Sequence, residues 1–122
     1  MADTRASGTG LVASTRVEPG AEAAVVVVRG EIDLHNSPEL RTALLDLLQK
    51  NQLKKLILNL SQVPYMDSSA IAVLVESLQK LRKLGGKVFL TGLQPRVKGL
   101  LEIARLDTIF GIVKDEAEAI AK

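Results

Sequence analysis

The sequence predicts an α/β domain built on a mixed, mostly parallel sheet of about four to five strands with about four helices. Three observations predict it. Short runs rich in Val, Ile and Leu alternate with amphipathic stretches of helical period along most of the chain. The first two apolar runs are separated by a Pro-Gly turn, which marks a hairpin. The later strands are separated by helix-length segments, which require crossover connections and therefore parallel pairing.

Taken in order, residues 1–10 are small and polar without periodicity and are expected to be a flexible leader with no role in the fold, leaving 11–122 as a single domain. Leu11 to Val17 alternates loosely, and Glu18-Pro19-Gly20-Ala21 supplies the two central residues of a type II turn. Ala24 to Arg29 holds four successive valines, as expected of a strand buried on both faces. In Asn36-Ser37-Pro38-Glu39 a capping side chain precedes a proline and an acidic residue, so a helix starts there. Leu40, Ala43, Leu44, Leu47 and Leu48 form its apolar stripe, and it ends near Lys50-Asn51.

Leu53 to Leu60 repeats the buried-strand pattern, and Pro64 assigns the following stretch to a loop. A second helix runs from Ser68 with Ile71, Val73, Leu74, Val75, Leu78, Leu81 and Leu84 as apolar positions, stopped by Gly85-Gly86. Lys87 to Thr91 is a further strand, Gln94-Pro95-Arg96 opens a helix through Ile103, Ile109 to Val113 makes a last strand, and Asp115 to Ala121 a terminal helix.

Composition removes several classes of function. The chain of 122 residues is 47% hydrophobic, enough for one core, and its formal charge of +2 is spread thinly. With three aromatic residues and no basic run, nucleic acid is not an expected partner. Without cysteine there are no disulfides, thiolate metal sites or cysteine nucleophiles. A single histidine among scattered carboxylates offers no metal-ligand spacing, and no cofactor is expected. The apolar runs are too short to span a bilayer, so membrane insertion is not expected and the default address is the cytoplasm.

The informative segment is Tyr65-Met66-Asp67-Ser68-Ser69-Ala70, which leaves a strand and enters a helix through capping residues. The plain reading of Asp67, Ser68 and Ser69 is an ordinary helix N-cap. The functional reading places a phosphate acceptor at a helix N-terminus, where unpaired N–H groups and a partial positive charge favour an anion. Position supports it, because the carboxyl ends of strands in open α/β sheets are where ligands and partners dock.

The fragments Gly30-Glu31-Ile32-Asp33, Leu58-Asn59-Leu60, Tyr65-Met66-Asp67-Ser68-Ser69 and Leu84-Gly85-Gly86 resemble the signature of STAS domains, above all the bacterial anti-sigma factor antagonists. The resemblance runs from about Val25 to the C-terminus. It implies partner switching: the unphosphorylated domain binds an anti-sigma factor that is also a serine kinase, freeing a sigma factor, and phosphorylation releases it. The acceptor falls on Ser68, with Ser69 as the runner-up, and a serine phosphatase is a further expected partner. Asp33, Asp67, Ser68, Ser69 and Ala70 are the expected partner-binding residues, although Asp33 reads equally well as a turn-capping carboxylate. The family commonly has Gly after the paired serines, whereas this chain has Ala70.

Two other readings compete. A hydrolase would use Ser68 as nucleophile, His35 as base and Asp33 or Asp67 to orient it, but the Gly-x-Ser-x-Gly elbow is missing, and the protein is not expected to be an enzyme. STAS-like domains also serve as adaptor subunits of lipid transporters and stress-sensing complexes. Partner identity and oligomeric state are not encoded in these patterns.

Overall fold

The computed structural model describes residues 3–6, 10–18, 20 and 22–122, and within these the chain forms one six-stranded sheet with four helices. The strands are β1 (Asp3–Ala6), β2 (Val12–Glu18), β3 (Ala23–Arg29), β4 (Lys55–Gln62), β5 (Lys87–Thr91) and β6 (Gly111–Val113). The helices are α1 (Ser37–Lys50), α2 (Ser68–Lys83), α3 (Pro95–Ile103) and α4 (Glu116–Ala121). The predicted α/β class and mostly parallel sheet are therefore correct.

Strand order in the sheet equals chain order, β1-β2-β3-β4-β5-β6. The first two pairings are antiparallel and the last three parallel. Three parallel connections stepping in one direction with one hand put their helices on one face of the sheet. Accordingly, Leu40, Leu44 and Leu48 of α1, Val73, Leu74, Leu78 and Leu81 of α2, and Val97 and Leu101 of α3 share one core with alternate strand residues Ala24, Val26, Leu56, Leu58, Val88 and Leu90. The intervening residues Ala23, Val25, Ile57, Phe89 and Val113 point the other way and pack with Ala119 of α4. The valine run of β3 is thus apolar because it serves two cores.

The six-residue α4 is too short to hold itself together by helix propensity. Asp115 caps its start by accepting the Glu118 N–H at 2.9 Å. Asn59 Nδ2 and Arg16 Nη2 donate to Glu116 at 2.7 and 3.3 Å, and the Lys55 ammonium donates to the carbonyls of Ala119 and Ile120 at its end.

Several boundaries differ from expectation. Asp3–Ala6, read as part of a leader without fold role, pairs antiparallel with β2 in the register Asp3↔Val17 to Ala6↔Ser14; the rest of residues 1–9 lies outside the described residues. The Pro-Gly turn falls partly outside them as well, since Pro19 and Ala21 are not described. The strand expected from Ile109 begins at Gly111, because the Ile109 N–H closes a turn onto the Leu106 carbonyl. Leu84 is 56% exposed and not on the apolar face of α2. The helix ends before it: Gly86 donates to the Leu81 carbonyl and Gly85 to that of Arg82, both at 2.9 Å, the two bonds of a Schellman stop.

That stop requires Gly85 at φ +80°. A Cβ there would meet only Lys54 Nζ, at 3.7 Å, so the constraint is conformational and not steric crowding by neighbours. The variant Gly85→Ala is expected to lose about 1–2 kcal/mol of stability, the cost of a left-handed residue with a side chain. Urea denaturation checks this, and an unchanged midpoint would refute the assignment.

Candidate functional site

The candidate site forms where β3 and β4 leave the sheet. Gly30, at φ +84°, turns the chain after β3 and donates its N–H to the Gln62 carbonyl at 2.9 Å. The two exiting segments then pair once more: the Ile32 N–H donates to the Tyr65 carbonyl at 3.1 Å and the Asp67 N–H to the Ile32 carbonyl at 3.0 Å, a parallel bridge between Ile32 and Met66. Both bridge side chains are fully buried. This bridge brings the Gly30-Glu31-Ile32-Asp33 fragment against the Tyr65-Met66-Asp67-Ser68-Ser69 fragment, which the sequence could only suggest by motif.

Asp67 is the hub. One carboxylate oxygen accepts from the Ser69 N–H at 2.9 Å and from the Ser69 hydroxyl, capping α2. The other accepts from the Leu34 N–H at 3.1 Å, across the two loops. These bonds, the one from the Ser69 hydroxyl foremost, hold the Asp67 carboxyl below its ordinary pKa, because each favours the charged form.

Asp33 organises the facing loop. Its Oδ1 accepts from the N–H groups of His35 and Asn36 at 2.9 and 3.1 Å, and its carbonyl accepts from Ser37 at 2.8 Å. The capping role expected of Asn36 takes a different form. Asn36 makes no side-chain cap on α1; its Oδ1 accepts from the Asp33 N–H at 2.8 Å and its Nδ2 donates to the Glu31 carbonyl at 2.9 Å. The side chain is spent on closing the loop.

The predicted site residues are placed unequally. Ser68 is exposed at the first turn of α2, and among the described residues its hydroxyl has no hydrogen-bond partner. Ser69 is half-buried with its hydroxyl committed to Asp67. Asp33 is exposed and Asp67 half-buried. Ala70 is set apart from these four: it is fully buried among the core residues, so its methyl supports the helix from below and presents nothing to a partner. The hydrolase geometry is not assembled, because Asp33 meets His35 through the backbone N–H and both Asp67 oxygens are taken by other donors.

Sequence reasoning passed over two features of this edge. Leu34 is 76% exposed beside Asp67. The Arg96 guanidinium of α3 lies 4.6 Å from the centroid of the Tyr65 ring, over the loop that precedes α2. An apolar residue set in a polar loop after Asp33 was the available signal for Leu34. For Arg96 there was none, since the contact depends on how α3 is seated. Among the described residues, no group of three or more His, Asp or Glu is placed to hold a metal, and no helix is long and apolar enough to cross a membrane.

Residues 13–119 match the STAS domain family. The chain belongs to that family. It is 34% identical over 93 residues to an anti-sigma-B factor antagonist of Listeria monocytogenes, covering 76% of this chain and 81% of the relative. It is 29% identical over 100 residues to an anti-sigma F factor antagonist of Paenibacillus polymyxa, covering 80% and 86%. Among solved structures, the STAS fold here is similar to that of the anti-sigma factor antagonist SpoIIAA in its unphosphorylated form, with a TM-score of 0.72, 23% identity and coverage of 82% and 86%. These relatives are thus named for antagonism and not for a reaction.

Because folding lowers the Asp67 pKa, the group stabilises the fold fully above its unfolded value and the contribution is lost as pH falls through the lower folded value. Asp67→Asn removes the charge and keeps one acceptor oxygen, which can still cap α2, while its NH2 cannot accept from the Leu34 N–H. Urea midpoints followed downward from about pH 5, above the ordinary carboxylate range, are expected to fall less steeply for the variant than for the wild type. Parallel curves would show that the carboxylate is not the hub.

Proposed function

We propose that the protein is an anti-sigma factor antagonist of the partner-switching kind, with Ser68 as its phosphate acceptor. In this reading the unphosphorylated domain binds an anti-sigma factor that is also a serine kinase, in the cytoplasm, and thereby frees a sigma factor; phosphorylation of Ser68 releases the partner and a serine phosphatase resets the domain. The observation that carries the choice of residue is the division of labour at the N-terminus of α2. Asp67 and Ser69 perform the capping, whereas the adjacent Ser68 hydroxyl is exposed and uncommitted. Transfer of a phosphoryl group to Ser69 would instead break its bond to Asp67. The similarity to named antagonists in Listeria monocytogenes and Paenibacillus polymyxa supports the same reading.

The physical basis of the switch is local. A phosphate on Ser68 carries close to two negative charges at neutral pH and would stand next to the Asp67 carboxylate on an exposed surface. The N–H groups of Ser69 and Ala70 are already bonded to Asp67, but the helix dipole favours an anion at this exposed end, so the fold tolerates the charge. A partner surface closed over Ser68 does not, because it would have to desolvate the phosphate. Asp33, Asp67, Ser68 and Ser69 form the docking surface in this account, and Ala70 acts only through the packing of α2.

Peptide-mapped mass spectrometry of the protein from its own cells, grown unstressed and stressed, tests the reading. Phosphate on Ser68 that changes between conditions is expected, with Ser68→Ala abolishing it and Ser69→Ala leaving it in place. No phosphate in any condition would favour an adaptor role for the same fold, and phosphate confined to Ser69 would refute the choice of acceptor.

A further inference from the structure

An isolated exposed leucine on a protein surface is ordinary. Leu34 differs in how it is held. At 76% exposure, it sits in a loop whose backbone is fixed at successive residues: Asp33 N–H to Asn36 Oδ1, Leu34 N–H to Asp67 Oδ2, and His35 N–H to Asp33 Oδ1. The apolar side chain is therefore displayed from a preorganised backbone, and docking it costs little ordering entropy. It is also tied directly to the residue preceding Ser68. The carboxylates of Glu31, Asp33 and Asp67 belong to the same two loops, and among the described residues none of the three is ion-paired.

An apolar centre with an acidic border is the anatomy of a transient protein interface in which the centre sets the dissociation rate and the border steers association. We infer that Leu34 is the apolar anchor of the docking surface, seated in an apolar recess of the anti-sigma serine kinase that is bordered by lysine or arginine side chains. This rests on the proposed function and adds which side chain carries the binding and what the kinase must present to it. Acidic residues on this side, left without cations of their own, call for cations on the other.

The test uses the full chain and the serine kinase that co-purifies with it from its own cells, identified by mass spectrometry and then purified. Leu34→Ala is expected to raise the Kd about tenfold or more, mainly through faster dissociation, with an unchanged melting temperature because the side chain is exposed. Leu34→Met should stay within several-fold of the wild type, since it keeps the volume. Glu31→Gln is expected to slow association and to flatten its dependence on salt. Wild-type affinity in Leu34→Ala, or a Kd that rises only together with a loss of melting temperature, overturns the anchor. Unchanged salt dependence in Glu31→Gln overturns the cationic border. If the wild-type chain recovers no serine kinase, the functional reading fails first and this inference falls with it, an outcome distinct from a kinase that binds Leu34→Ala normally.

Discussion

The parallel bridge between Ile32 and Met66 is the constraint on which the site depends. Beyond the regular ends of β3 and β4 the two chains would separate, and with them the loop of Asp33 and the N-terminus of α2. Two backbone hydrogen bonds that flank the buried Ile32–Met66 pair, from the Ile32 N–H to the Tyr65 carbonyl and from the Asp67 N–H to the Ile32 carbonyl, prevent it. Everything at the surface above is then placed by short polar side chains acting locally. Asp67 spans both loops, Asn36 closes one of them, and Ser69 completes the cap. A site made this way needs no cavity or metal, because rigidity comes from satisfied backbone groups at the edge of a packed sheet.

Strength is distributed in the same economical fashion across the molecule. The interaction between α1 and α2 at the surface includes a two-point contact from Arg41 to Glu76, at 2.7 and 2.9 Å, which holds the helices in register but, being exposed, contributes modestly to stability. The larger contribution comes from fully buried leucines of both helices on the strands. The polar groups of the site therefore specify geometry, while the apolar groups beneath them supply the free energy. Buried Ala70 belongs to the second set although its neighbours in sequence belong to the first.

Much of this was legible from the sequence, for reasons that differ between elements. The stripe Leu40, Leu44 and Leu48 repeats at helical spacing, and the valines of β3 announce a strand that faces apolar groups on both sides; each signal is local and strong. Gly85-Gly86 marks a helix stop because few other residues make that turn. Leu84 was misread because periodicity alone continues past a stop. Asp3–Ala6 carries no alternation and its place in the sheet comes entirely from β2. At the candidate site, Asp67 and Ser68 stood out by motif and position, but the division of labour among Asp67, Ser68 and Ser69 did not. That depends on which hydroxyl the helix turns toward the carboxylate. Likewise the role of Asn36 depends on where the neighbouring turn lies, which no spacing rule encodes.

The identity of strand order and chain order has a kinetic meaning. Each strand pairs with the one made just before it, so no strand has to be threaded between two that are already joined. Pairing can grow outward from the β2–β3 hairpin as successive segments emerge from the ribosome, with loop closure confined to one crossover at a time. The bridge of Ile32 and Met66, and the Asp67 cap above it, use only residues up to the start of α2. The edge that carries the site can therefore be wired before α3, β6 and α4 have been synthesised, and the last third of the chain adds packing and a lid over the second core.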